Sequence, residues 1–148
     1  MIGIVTDHIS NNIKNYLMFR ELNKLSKTQD CYLFANSIES LPMKNEFCIL
    51  QQVEAMSHAG TLMSTSLITT QIVQNALPAK RKIFYMWYPD WSDYDNVRTT
   101  QLTNILTDKS IEIVTRGTDQ AKLMESMFGR ECGILRNWDS ESLERLAS

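Results

Sequence analysis

Short apolar runs alternate with amphipathic stretches along nearly the whole chain. The runs are four to six residues long and rich in Val, Ile and aromatic side chains, which is typical of strands. They predict strands at Ile2 to Thr6, Cys31 to Ala35, Phe47 to Gln51, Thr61 to Ser64, Ile83 to Tyr88, Ile111 to Thr115 and Cys132 to Leu135. The run from Ile83 to Tyr88 is apolar throughout, as in a strand buried on both faces, and we expect it to be a central strand.

Apolar residues recur at helical spacing between these runs. This spacing predicts a helix from Asn12 to about Lys27, with Ser10 or Asn11 as its cap, and a helix from Ser66 to before Pro78. It also predicts helices from Val97 to about Thr107, from a Thr118 or Asp119 cap to Phe128 with Gly129 ending the helix, and after Asp139 or Ser140. A single helical turn is predicted at Val53 to His58. The alternation predicts one α/β domain over residues 1–148. Its expected form is three-layer and Rossmann-like, with a mostly parallel sheet of six or seven strands and helices on both faces.

The carboxyl ends of parallel strands are where open α/β sheets bind ligands. Asp7 and His8 follow the first predicted strand, and we expect them in the turn after it. There they are candidates for a general base or a ligand contact. The alternative is that both side chains only bond the local backbone of a turn before a helix.

Trp87, Asp90 and Trp91 stand at the carboxyl end of the aromatic strand. The two tryptophans are suited to stacking against a sugar or a base, although aromatic residues at this density are also typical of a core. Asp90 forms an acidic cluster with Asp93 and Asp95, which offers oxygen ligands for Mg²⁺. Capping of the following helix explains these acids more simply.

No metal site is predicted elsewhere. His8 and His58 are far apart in sequence, and the three cysteines, Cys31, Cys48 and Cys132, contain no CxxC pair. Three separated cysteines in apolar segments favour reduced thiols and a cytoplasmic protein. No apolar segment of 18 residues and no leader at the amino terminus are present, so we expect no membrane insertion.

Charge and motifs exclude several classes of function. With 15 basic and 17 acidic residues the formal charge is −2, and the only basic run is Lys80 to Lys82, so no nucleic-acid partner is expected. The sequence contains no GxGxxG, no GxxxxGK[ST] and no GxSxG. We therefore predict no cofactor, and neither a free-standing dehydrogenase, a P-loop NTPase nor an α/β-hydrolase.

The segments LMSTSLITTQIVQNALPAKRKIFYMWYPDW and IEIVTRGTDQAKLMESMFGRECGILRNWDSESLERL resemble the N-terminal, acceptor-side Rossmann-like domain of GT-B glycosyltransferases. In that family a strand ending in Ser or Thr opens a helix, a later strand carries aromatic residues, a strand like "vitRs" precedes a helix, and an asparagine-aspartate turn closes the domain. The counterparts here are Thr65 and Ser66, Phe84 to Trp87, Ile113 to Arg116, and Asn137 with Asp139.

The resemblance implies a sugar, nucleotide or other acceptor-type ligand at the strand ends, with Thr65, Ser66, Trp87, Arg116 and Asn137 among its contacts. In the family the sugar-nucleotide donor is held mainly by a C-terminal domain. We therefore expect the chain not to be catalytic alone, or to complete catalysis with a partner chain.

Two other functions remain open. One is a non-enzymatic Rossmann-like protein whose helices mediate oligomer contacts, and the other is a small nucleotide-binding enzyme of another type. A homodimer or a hetero-complex is predicted, because six large apolar residues near the chain end could leave an exposed patch: Met124, Met127, Phe128, Trp138, Leu143 and Leu146.

Overall fold

A computed structural model of the chain describes residues 1–88 and 99–148. The described residues form one all-parallel sheet of seven strands in the order β3-β2-β1-β4-β5-β6-β7. The strands are β1 (Ile2–Ile9), β2 (Cys31–Ile38), β3 (Cys48–Gln51), β4 (Thr61–Ser64), β5 (Arg81–Met86), β6 (Glu112–Thr115) and β7 (Gly133–Ile134). The helices are α1 (Ile13–Leu25), α2 (Leu67–Asn75), α3 (Thr99–Thr107), α4 (Thr118–Phe128) and α5 (Ser140–Ala147), with a 3₁₀ helix at Gln52–Ser57.

Helices cover both faces of this sheet, which confirms the predicted α/β, three-layer, Rossmann-like class. On one face α1 and α5 pack together, and Phe19 and Leu143 share a core cluster with Tyr85 of β5. On the other face α2, α3 and α4 lie over the sheet, and Met124 of α4 packs in a cluster with Phe84 of β5. Alternate residues of β5 therefore enter opposite cores, as the period of a strand requires.

The inner strands are buried on both faces. The segments from Ile2 to Val5 and from Ile83 to Met86 are almost fully excluded from solvent, which confirms their predicted interior positions. The middle strand of the seven is β4, and β5 is its neighbour, so the aromatic strand is interior without being the midpoint.

The first two strands are longer than the sequence predicts. β1 continues to Ile9 and β2 to Ile38, with His8 opposite Ser37 in the ladder. Asp7 and His8 therefore lie in a strand, not in the predicted turn. Beyond Val5 the strand has lost its neighbour β4 and is paired with β2 alone, so exposed polar side chains are tolerated where the hydrophobic pattern indicates a loop.

The ends of the helices are capped by polar side chains and glycines, but two of the predicted N-cap residues are wrong. Asn12, and not Ser10 or Asn11, caps α1 by accepting from the Asn15 backbone N–H. Gly117, and not Thr118 or Asp119, is the N-cap of α4. The predicted Gly129 end of α4 is confirmed by its left-handed φ of 62°, and Asp139 caps α5 through the Ser142 N–H.

The terminal helix α5 folds back across the sheet. The Ser140 N–H at its start donates to the buried Glu21 carboxylate at 3.0 Å, and the carbonyl of Ala147 at its end accepts from the Thr61 hydroxyl. Of the six apolar residues expected to form a patch, Met124, Trp138 and Leu143 are buried and only Met127 is exposed by about half (53%). The patch argument for a dimer is therefore wrong, while the oligomeric state itself stays a prediction.

Within the described ranges, no helix has both the length and the apolar character needed to cross a membrane.

Candidate functional site

The site lies at a point where two neighbouring strands are followed by helices that pack on opposite faces of the sheet. β1 continues into α1 on one face and β4 into α2 on the other, although β1 and β4 are paired side by side. Such a switch point opens a crevice at the strand carboxyl ends. A cleft of about 210 Å³ is found there, and its lining includes Asp7, His8, Lys14, Thr65, Ser66 and Tyr88.

The ladder explains why the residues after β1 and β4 meet in this cleft. Val5 is aligned with Ser64, so the next residue in each chain, Thr6 and Thr65, falls at the same level of the rim. Four residues singled out from the sequence, Asp7, His8, Thr65 and Ser66, are thus brought together.

The connection from β1 to α1 is held by a buried asparagine. The Asn15 side-chain amide donates to the carbonyl of Ser10 at 3.0 Å and to that of His8 at 3.4 Å. Asn15 is itself almost fully buried. This connection is consequently fixed by bonds within the chain, a feature that no motif in the sequence indicates.

Lys14 brings a cation to the cleft that sequence reasoning missed. Its ammonium group donates to the Thr65 carbonyl at 3.4 Å. Lys14 is the second residue of α1. Because this position follows a predicted strand end closely, the sequence could have indicated Lys14 as a site residue.

Thr65 and Ser66 behave very differently, although they are adjacent. The Ser66 hydroxyl caps α2 and pairs with Thr69 in a capping box. The Thr65 hydroxyl is buried and has no hydrogen-bond partner among the described residues. A buried hydroxyl left without a partner costs about 1–3 kcal/mol, so Thr65 needs a physical explanation.

His8 is held between two side chains of β2. Its Nδ1 lies 2.7 Å from the Ser37 hydroxyl and its Nε2 lies 3.2 Å from the Glu39 carboxylate. Both ring nitrogens are therefore occupied, and the His8 and Glu39 side chains are 45% and 71% exposed. A base this exposed to water has no water-excluded, low-dielectric environment, so we interpret the trio as a polar cross-strand cluster, of which His8 lines the cleft.

A second group of side chains, the aromatic corner, consists of Trp87, Arg116 and Trp138. Met86 is aligned with Thr115, so Trp87 and Arg116 follow neighbouring strand ends. The Arg116 guanidinium carbon lies 4.9 Å from the centroid of the Trp87 ring. Trp138 packs against Trp87 at 5.4 Å, so Trp87 is partly a core residue and does not present a bare platform.

Tyr85 forms the floor of the aromatic corner. Its ring centroid lies 4.7 Å from that of Trp138, and its hydroxyl donates to the Leu135 carbonyl at 3.1 Å. Burial raises the pKa of Tyr85 to about 12, against a smaller opposing effect of the Arg116 charge. The Tyr85 hydroxyl is therefore a neutral structural donor at physiological pH.

The remaining predicted residues do not join these groups. Asn137 is exposed and does not line the cleft. Asp90 and Trp91 lie outside the described residues, as do the other two acids of their cluster. His58 is buried between Tyr32 and Phe34 on another part of the sheet, and within residues 1–88 and 99–148 no group of three His, Cys, Asp or Glu side chains could hold a metal.

A larger groove, of about 420 Å³, lies along the outer strands β6 and β7. Two of the charged residues that line it are already engaged: Glu112 forms a two-point pair with Arg81 at 2.8 and 2.7 Å, and Arg130 donates to the carbonyls of Asp108 and Ile111. We therefore place the candidate site in the smaller cleft at the switch point, where a buried donor is unsatisfied.

Comparisons of this chain with protein-family models, with curated proteins and with solved structures gave no match.

Proposed function

We propose that the chain is a glycosyltransferase-like protein of the GT-B N-terminal type that binds a sugar, nucleotide or other acceptor-type ligand at the switch-point cleft and is not catalytic alone. The observation that carries this proposal is the Thr65 hydroxyl, buried in the wall of the cleft without a partner in the described part of the chain. A ligand hydroxyl or oxygen would satisfy it, which gives the unpaired group a use.

The lining of the cleft supports a polar ligand. Nine polar residues and one aromatic residue surround it: Thr6, Asp7, His8, Ser10, Asn12, Lys14, Asn15, Thr65, Ser66 and Tyr88. Hydroxyls, amides and one aromatic ring are the groups that recognise a sugar. The volume is below the roughly 300–1,000 Å³ of sites for drug-sized ligands, so a single sugar or nucleoside unit fits the space.

The absence of turnover from the chain alone is part of this proposal. His8 has both ring nitrogens engaged at an exposed position, and a leaving diphosphate needs positioned cations around it. We further infer that the protein works in the cytoplasm, where Cys31, Cys48 and Cys132 stay free thiols. Glycosyl transfer by the purified chain, lost in His8→Ala, would contradict the non-catalytic part.

The matched pair Thr65→Val and Thr115→Val tests the role of the cleft. Both threonines are buried at strand ends, but the Thr115 hydroxyl donates to the Gly117 carbonyl at 3.1 Å. Thr115→Val should therefore lower the free energy of unfolding by about 1 kcal/mol, while Thr65→Val should leave it unchanged or raise it by up to about 1 kcal/mol. Chemical denaturation measures both.

The two variants should differ in the opposite way in ligand binding, with the larger loss in Thr65→Val. In a thermal-shift panel of UDP-sugars, GDP-sugars and free monosaccharides, at least one compound should raise the wild-type midpoint. Thr65→Val should reduce that shift and Thr115→Val should retain it. A panel that leaves the wild-type midpoint unchanged, or a Thr65→Val protein that is destabilised and still binds normally, would refute the proposal.

A second candidate is a non-enzymatic interaction protein. It is favoured by Leu123 and Met127, which lie four residues apart on α4 and are 37% and 53% exposed. If this face mediates a homodimer, light scattering should give twice the 17.1 kDa chain mass, and Met127→Glu should return the monomer. A monomer mass that stays constant on concentration would exclude the homodimer.

A further inference from the structure

Arg116 is a positioned cation that forms no ion pair within the described part of the chain. Arg20 and Arg81 both form ion pairs with carboxylates, but in residues 1–88 and 99–148 no carboxylate pairs with Arg116. The guanidinium lies over the Trp87 ring instead, and its backbone N–H is held by the Gln120 side chain. Stacking of this kind fixes the plane of the guanidinium, so less side-chain entropy is lost when a ligand binds.

Trp138 adds a second donor that lacks an acceptor. It is only 8% exposed, and its Nε1 is buried without a hydrogen-bond partner among the described residues. Buried indole N–H groups usually find an acceptor. The nearest polar neighbour in the stack, the Tyr85 hydroxyl, is directed to the Leu135 carbonyl.

The chemistry of these groups selects an oxyanion. Arginine and tryptophan side chains only donate hydrogen bonds, so they match a group that only accepts. The guanidinium fork fits the planar oxygens of a carboxylate or two oxygens of a phosphate. The cleft is lined by both the Asp7 carboxylate and the Lys14 ammonium, so its charges offset each other, whereas Arg116 at the aromatic corner has no ion pair with a carboxylate among the described residues.

The corner and the cleft are adjacent along the rim. Tyr88 lines the cleft, and the preceding residue, Trp87, carries the Arg116 guanidinium. We propose that the ligand carries a carboxylate or phosphate group, which Arg116 and the Trp138 indole N–H bind at the aromatic corner while the neutral part of the ligand occupies the cleft. This inference rests on the proposed function and adds the charge of the ligand to it.

Matched neutral and anionic probes test this charge preference. The probes are glucose against glucose 6-phosphate and glucuronate, and uridine against uridine monophosphate, titrated at fixed ionic strength. The wild type should bind the preferred anionic probe about tenfold or more tightly than its neutral counterpart, as expected for a charge-assisted hydrogen bond. Preference for glucose 6-phosphate or for glucuronate identifies the anion as a phosphate or a carboxylate.

Substitutions then assign the preference to Arg116. Arg116→Gln should bring the anionic and neutral probes to within about twofold, and Arg116→Lys should retain only part of the preference because an ammonium group has no fork. The control Lys27→Gln removes an exposed charge just after α1 and should bind like the wild type. The Trp138 indole N–H resonance should shift with the anionic probe alone.

The outcomes separate the two proposals. Equal affinity for neutral and anionic probes, an unchanged preference in Arg116→Gln, or an unmoved Trp138 indole resonance overturns the charge assignment. If the neutral probes still bind and depend on Thr65, the proposed function stands without it. If no probe binds the wild type, both proposals fail.

Discussion

The two ends of the sheet satisfy their polar groups to very different degrees. At the amino ends of the strands, Arg81 pairs with Glu112 and also donates to the Leu146 carbonyl, and Thr61 donates to the Ala147 carbonyl. At the carboxyl ends, the Thr65 hydroxyl and the Trp138 indole lack partners within the described residues. Bonds from the end of α5 to the sheet thus lie at the amino ends, whereas two of the three unpaired buried polar atoms among the described residues lie at the carboxyl ends and the third, His58 Nε2, lies at the amino ends.

This difference suggests that stability and binding depend on separate sets of residues. Unpaired buried donors reduce stability, and they are retained where they serve a ligand. Substitutions in the core and at the amino ends should then change the free energy of unfolding and leave binding intact. Substitutions of the unpaired groups at the carboxyl rim, such as Thr65→Val, should instead weaken binding and leave the free energy of unfolding nearly unchanged.

The largest loss of stability is expected from Gly3→Ala in β1. A Cβ at this position would lie 2.7 Å from Phe34 Cε2 and 3.0 Å from Leu62 Cδ1, in a core that cannot yield freely. Overpacking of this kind costs about 1–3 kcal/mol, and we expect the upper half of that range in urea denaturation. In the control Gly133→Ala the nearest atom would be 3.4 Å away, and a change of less than about 0.5 kcal/mol is expected.

Measuring the ligand affinity of Gly3→Ala tests whether stability and binding depend on separate sets of residues. If the separation between the two ends is real, Gly3→Ala should bind the probes as the wild type does at a temperature where both are folded. Weakened binding in Gly3→Ala would show that packing at the amino end is transmitted to the cleft.

A smaller loss is expected from Glu21→Gln. The Glu21 carboxylate is buried and accepts from Arg20, Lys24 and the Ser140 N–H at the start of α5. Burial alone would raise the pKa of Glu21, but the hydrogen bonds from Lys24, Arg20 and Ser140 lower it below 4.5. Because the two cations are about half exposed, we expect a loss of only about 1–2 kcal/mol near neutral pH.

The sign of the pH dependence distinguishes Glu21 from a surface acid. A carboxyl group with a lowered folded-state pKa stabilises the protein above its unfolded pKa, and this contribution is lost as the pH falls through the folded pKa. The difference between wild type and Glu21→Gln should therefore shrink below about pH 4.5. Glu141→Gln, which removes an exposed acid in the first turn of α5, should cost less than about 0.5 kcal/mol; an effect equal to that of Glu21→Gln would contradict the role given to Glu21.

The fold could be predicted from the sequence because its inner strands are continuous apolar runs. The segments beginning at Ile2 and at Ile83 are buried on both faces, so hydrophobicity alone locates them. The end of β1 could not be located this way. Asp7 and His8 are exposed and polar, and they are extended because β2 continues beside them, which is a fact about the partner strand.

The candidate site could be predicted in part, because the apolar runs locate the strand ends at which its residues lie. Strand ends locate Thr65 and Arg116 at one rim, but strand order decides that β1 lies beside β4 and that β5 lies beside β6. Only that order separates the cleft from the aromatic corner. The contribution of Trp138 depends further on α5 folding back across the sheet, a tertiary contact that no local pattern contains.

The effect that is smallest at neutral pH concerns His58, the exception at the amino end. Its ring packs edge-on between Tyr32 and Phe34 at 5.7 and 5.6 Å, and its Nε2 is buried without a partner in the described part of the chain. Burial lowers the pKa of His58 below 6.5. The unfolded chain therefore takes up a proton at a higher pH than the folded protein, and stability falls as the pH is lowered below about 6.5, by at most about 1.4 kcal/mol per pH unit. His58→Gln keeps a side chain of similar reach without the titration, so its stability should fall less than that of the wild type between pH 7 and pH 5 in parallel urea denaturations.

The two proteins are compared first at about pH 8, where both side chains are neutral and any difference reports packing alone. Equal pH slopes would mean that His58 titrates alike in the folded and unfolded states, and would contradict the effect assigned to its burial.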